Sequence, residues 1–138
     1  MIFRSPEQVI LHRLQTQPLV VYFCGMRIYP QIAPASAPFP FMVYRRTAAE
    51  RQATFTGVVG TPIVTLSLDM YALTYETCRG LADSVRQALD GWNGTSYGVD
   101  VRRVSLVSEV DELATIDSSE LPQAYQVTQD YQILWQEI

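Results

Sequence analysis

Two periodicities trade places along this chain. Residues 61–72, TPIVTLSLDMYA, alternate: Val64, Leu66, Leu68 and Met70 fall on one side, with Thr65, Ser67 and Asp69 on the other. A period of two predicts a half-buried strand, and Pro62 sits at its beginning, where the missing N–H does no harm. The alternation returns more regularly at 124–137, AYQVTQDYQILWQE. There Tyr125, Val127, Tyr131, Ile133 and Trp135 oppose Gln126, Thr128, Asp130, Gln132 and Gln136. Between them, residues 74–92 switch to helical spacing. Cys78, Leu81, Ala82, Val85, Ala88 and Leu89 form a stripe, Thr74 is placed to cap, Glu76 suits the positive end of the helix dipole, and Gly91 supplies the stop.

The remaining segments are less periodic. SPEQ at 5–8 is a helix start, with Ser5 as cap, Pro6 at the first helical position and Gln8 in capping-box register, predicting a helix over 6–16. LVVYFCG at 19–25 is too short for its period to separate a buried strand from a short helix. Residues 40–47 read as a strand, the Gly/Thr-rich 51–60 as a long hairpin loop, and 91–98 as a turn-rich connection. Residues 99–110 read as a strand and 111–122 as an acidic loop. The order α, (β), β, β, α, β, β contains no repeating strand–helix–strand unit. It predicts one α+β domain over 1–138: a mainly antiparallel sheet of about four or five strands, with helices packed on one face.

Composition narrows the chemistry. A chain of 138 residues buries roughly 68–70% of its unfolded surface and needs no disulfide or metal staple. All ten basic residues are arginine, and against fourteen acids they leave a net charge of −4. That sign disfavours phosphate-backbone binding and a polybasic membrane contact. Cys24 and Cys78 lie far apart in sequence, and a lone His12 completes neither a zinc set nor a nucleophile triad. Cys78 reads as a packing residue. No phosphate-cradling glycine motif occurs. Glu109, Asp111, Glu112 and Asp117 lack calcium-loop spacing and read as a solvated acidic loop. No catalytic, cofactor or metal site is expected. Residues 1–17 carry Arg4, Glu7 and Arg13 and no long apolar run, so no signal peptide is expected, and Leu19–Cys24 is too short to span a bilayer. The expected home is a reducing cytoplasm or a particle assembled there.

Two features remain. Arg45-Arg46 and Arg102-Arg103 each lie in a predicted strand, so each pair sends at most one guanidinium to a given face. RIYPQIAPASAPFPFMVYRR at 27–46 holds half of the eight prolines: Pro30, Pro34, Pro38 and Pro40. It runs straight into apolar FMVY and reads as a proline-stiffened crossing rather than a docking peptide or linker. Phe39-Pro40 is the bond to check for a cis peptide.

The same stretch carries a resemblance. A basic residue, IYP, AP, then Pro-aromatic into a strand with VY is followed by a Gly/Thr loop and DMYA. TYETCRGLADSVRQALDG and a final Y-x-V-x-Q-D-Y strand complete the pattern. In this order the segments, over about 6–136, resemble the tail-completion proteins of long-tailed bacteriophages, also described as tail-terminator or tail-to-head joining proteins. The resemblance implies a virion structural protein at the neck of the particle. It would form a ring, typically of six copies, on the head-proximal end of the tail tube, stopping tube polymerisation and meeting the head connector or stopper. Its partners would be itself, the tail tube protein and that connector, with genome DNA passing through the lumen without specific binding. A head-completion or connector-adaptor protein is the runner-up, and a small ligand-binding domain or enzyme is the third reading. The interface candidates are Arg45, Arg46, Arg51, Phe55, Val58, Arg102 and Arg103, with the sheet edges at 40–47 and 124–136 as sites of strand addition between subunits.

Overall fold

The computed structural model describes residues 5–34, 37–50, 53–54, 57–58, 63–114 and 124–137. Helices α1 (Pro6–Gln15) and α2 (Pro18–Cys24) lead into strands β1 (Ile28–Pro30) and β2 (Phe41–Glu50). A two-residue pair, β3 (Ala53–Thr54) and β4 (Gly57–Val58), precedes β5 (Ile63–Ala72). Helix α3 (Tyr75–Leu89) and strands β6 (Gly94–Ser96), β7 (Val99–Ala114) and β8 (Ala124–Glu137) complete the order. The main sheet runs β1-β2-β5-β8-β7-β6 and is antiparallel except where β1 lies parallel to β2.

The α+β architecture agrees with the sequence pattern, but the sheet has six strands where four or five were expected. The additions are β1, from the proline stretch, and β6, from the turn-rich connection. Each has three residues, too few to display a period. Residues 19–25, left open by the sequence, are mostly helix: Pro18 occupies the first turn and Gly25 ends it with a φ of 56°. The acidic loop begins later than expected, because β7 continues through Ala114; the rest of that segment lies outside the described residues. Phe39-Pro40 is cis.

All three helices share one core with a single face of the sheet. Val64, Leu66, Leu68 and Met70 of β5 meet Val127, Tyr131, Ile133 and Trp135 of β8 and the predicted α3 stripe. Val9, Ile10 and Leu14 of α1, with Val20 and Cys24 of α2, close the cluster. Thr74 caps α3 as its position implies, accepting a hydrogen bond from the Thr77 N–H at 3.2 Å. Ser5 makes no side-chain cap, so α1 begins on Pro6 alone. At the far end of α3, Arg13 of α1 donates to the Ala88 carbonyl at 3.1 Å and lies over the Trp92 ring. A guanidinium there meets the negative end of the helix and one of its unpaired carbonyls. Gly91, at a φ of 80°, then turns the chain away.

Candidate interaction surfaces

The Arg45-Arg46 pair divides between faces as strand alternation requires. Arg45 approaches Asp69 at 3.5 Å on the helix-free face of the sheet. Arg46 points the other way and pairs with Glu7 of α1 at 2.6 Å. On β7, Arg102 lies 3.6 Å from Asp100 and Arg103 is exposed, with a register shift between Val101 and Arg103. The two pairs are not brought together, because β5 and β8 lie between β2 and β7. Arg51 and Phe55 lie outside the described residues, and Val58 is placed only as part of β4.

Sequence inspection missed a hollow on the helix-free face. Phe41 stacks on Tyr71 with centroids 5.0 Å apart, and Phe39 and Tyr29 pack against Phe41. Phe41 and Tyr71, with Gln31–Ala33, Val43, Arg45, Leu113 and Gln126, line an open depression of about 600 Å³. Asp69 forms part of its floor, accepting hydrogen bonds from the Thr128 hydroxyl at 2.7 Å and the Gln126 amide at 3.5 Å. The carboxylate is thereby fixed in place.

A second polar system runs under α3. Gln129 is fully buried in phase with Val127 and Tyr131. Its amide donates to the Ala82 carbonyl at 3.0 Å and to Glu109 at 2.6 Å, while its carbonyl accepts from the Tyr131 hydroxyl at 2.6 Å. Arg79 then holds Glu109 at 2.8 Å, Asp111 at 3.1 Å and Asp83 at 3.1 Å. Burial pushes the Tyr131 hydroxyl pKa strongly upward, reinforced by Asp90 and Glu109. For Glu109, burial pushes the pKa up, but the hydrogen bonds from Gln129 and Arg79 and the arginine charge outweigh it. The carboxyl therefore titrates below its ordinary value of 4.5.

A depressed folded-state pKa means the unfolded chain binds the proton first, so Glu109 contributes stability above pH 4.5 that is lost as pH falls through its folded value. Glu109→Gln should unfold at lower urea at neutral pH, with a flatter fall in midpoint between about pH 5 and pH 3. A slope equal to wild type would remove Glu109 from the acid response.

The remaining chemical groups are packed or surface residues. Burial pushes the Cys24 and Cys78 thiols up to about 11, only partly opposed by Arg27 and Arg79 respectively. Such thiols stay protonated and poorly nucleophilic at neutral pH. His12 is exposed, edge-on to Tyr97. Of the sequence's acidic group, Glu109 and Asp111 meet at Arg79, Glu112 stays exposed, and Asp117 lies outside the described residues. Among the described residues no group of three or more His, Cys, Asp or Glu is placed to hold a metal, and no helix is long and apolar enough to cross a membrane.

The family model described as "Tail completion protein gp17" matches residues 8–136. The chain belongs to the tail completion protein family. A tail completion protein is a bacteriophage virion component with a structural role in the tail. The fold is similar to a chain in the virion of a native gene transfer agent particle. The TM-score is 0.73 at 12% identity, covering 91% of this chain and 90% of that one. At that identity the likeness is one of fold. Among curated proteins none matches by sequence.

A structural protein works through its surfaces, and this tail completion protein differs from the sequence expectation in where its edges lie. Strand β8, expected as an edge at 124–136, is interior, hydrogen-bonded to β5 and β7 on its two sides. Its regular alternation reports one dry and one wet face, which says nothing about lateral neighbours. Strand β2 is covered by β1 over Met42–Tyr44. Among the described residues two long strands keep an open side: β2 beyond Tyr44, and β7, which β6 covers only at Val99–Val101.

Proposed function

We propose that this tail completion protein forms a ring, typically of six copies, on the head-proximal end of the tail tube. The ring stops tube polymerisation and offers its other side to the head connector or stopper. Membership of the family across 8–136 carries this reading. A closed ring needs one surface of each copy to fit a different surface of the next, with no catalytic group. The net charge of −4 suits a subunit beside a DNA channel, since a lumen without excess positive charge does not hold the passing genome.

Deleting the gene from the phage that encodes it tests the reading by electron microscopy of the lysate. Full heads beside unjoined, overlong tails are expected. Normal-length tails beside leaking heads would move the protein to head completion.

A further inference from the structure

We propose that neighbouring copies meet head to tail, the open β7 edge of one copy seated against α2 and the α2–β1 turn of the next. This contact rests on the ring reading above. The α2–β1 turn feeds the β1 end of the sheet, and β5 and β8 separate β1 and β2 from β7. A copy engaged through one of the two surfaces therefore keeps the other free, as a closing heterologous contact requires.

The β7 flank is open by construction. Gly91 and Trp92 exchange backbone hydrogen bonds with Val104, and Asp90 accepts from the Leu106 N–H, closing the edge that far. From Val107 to Ala114 the edge has no strand partner among the described residues. Val107, Val110 and Leu113 are 56%, 49% and 63% exposed there. They are interspersed with Glu109, Asp111 and Glu112, of which Glu109 and Asp111 share the Arg79 guanidinium. The opposite flank is apolar and basic. Leu19, Tyr22 and Met26 recur at helical spacing along α2 and its exit, Tyr22 being 79% exposed. Arg27 follows, donating to the carbonyls of Pro40 and Phe23, with no carboxylate partner among the described residues.

The charges differ in sign between the two surfaces: Arg27 is the only charged residue between Arg13 and Arg45, whereas residues 107–114 hold three acids and no base. The acidic edge therefore repels a second copy of itself and attracts the α2 flank, which selects head-to-tail pairing over a two-fold dimer. Apolar side chains on both surfaces supply the burial that exposed ion pairs do not.

The test uses virions whose only copy of the gene carries Tyr22→Cys and Val110→Cys. Both native thiols are buried, so a short bismaleimide reaches the introduced ones. A ladder of covalent multimers is expected from the double variant, and monomers from each single-cysteine control. A second pair, Met26→Cys with Val107→Cys, should behave alike. Monomers from both double variants in intact virions, or dimers from a single-cysteine control, would overturn the contact. A ladder from a phage whose deletion gives normal-length tails and leaking heads would support the contact while removing the tail-capping reading.

Discussion

Replacing Gln129 with alanine is expected to cost about 3–5 kcal/mol of folding stability, with a matching fall in the urea midpoint followed by tryptophan fluorescence. The estimate follows from what the side chain touches. Its amide serves the Ala82 carbonyl and Glu109, and its carbonyl serves Tyr131. Truncation leaves the Tyr131 hydroxyl and a half-buried carboxylate each short of a partner, and each such loss costs about 1–3 kcal/mol. The cavity adds a further penalty of about 24 cal/mol per Å³. Gln129→Leu separates the two terms by keeping the volume and discarding the bonds, and should cost about 2–3 kcal/mol. Tyr131→Phe, which strips one acceptor of its donor, should cost about 1 kcal/mol. A Leu variant as stable as wild type would mean that the network confers no net stability, as some buried polar systems do not.

That network also shows what the sequence could and could not disclose. The stripe Cys78, Leu81, Ala82, Val85, Ala88 and Leu89 and the β5 series Val64 to Met70 are all buried as their periods imply. Those periods come from local geometry, so they survive without knowledge of the partners. Gln129 is the polar member of an inward-facing series, and its only signal is that it stands in phase with Val127 and Tyr131. Its partners lie 20 and 47 residues away, on β7 and α3, where no local pattern points. Strand neighbours are equally long-range: the best alternating strand, β8, proved interior, and the less regular β7 is paired by β6 only at Val99–Val101. In 19–25 the apolar run suggested burial, yet Leu19, Val21 and Tyr22 are exposed, so hydrophobicity there marks a surface. Phe41 and Val43 are buried on the helix-free side by the proline stretch, which inverts the usual inference from an apolar strand position.

Substitution of Gly80 should have the second large effect, and its sign is not what helix propensity predicts. Glycine inside a helix is worse than alanine by roughly 0.5–1 kcal/mol, so Gly80→Ala on an isolated α3 would stabilise it. In this fold a Cβ at Gly80 would lie 2.6 Å from Cζ of Phe23 and 3.1 Å from its Cε1. The Phe23 ring of α2 rests end-on against the α3 backbone, with three of its atoms crowding the position, so the ring or α2 must shift to admit a Cβ. Overpacking of this kind costs about 1–3 kcal/mol, which outweighs the propensity gain. Gly80→Ala is therefore expected to destabilise by about 1 kcal/mol and Gly80→Leu by about 3 kcal/mol, since leucine must lift α2 from its seat. The background Phe23→Ala removes the obstruction, and in it Gly80→Ala should become stabilising by up to about 1 kcal/mol. Urea midpoints of the four chains in this cycle decide the matter. If Gly80→Ala destabilises equally with and without the Phe23 ring, the close approach of α2 to α3 is not what selects glycine at this position.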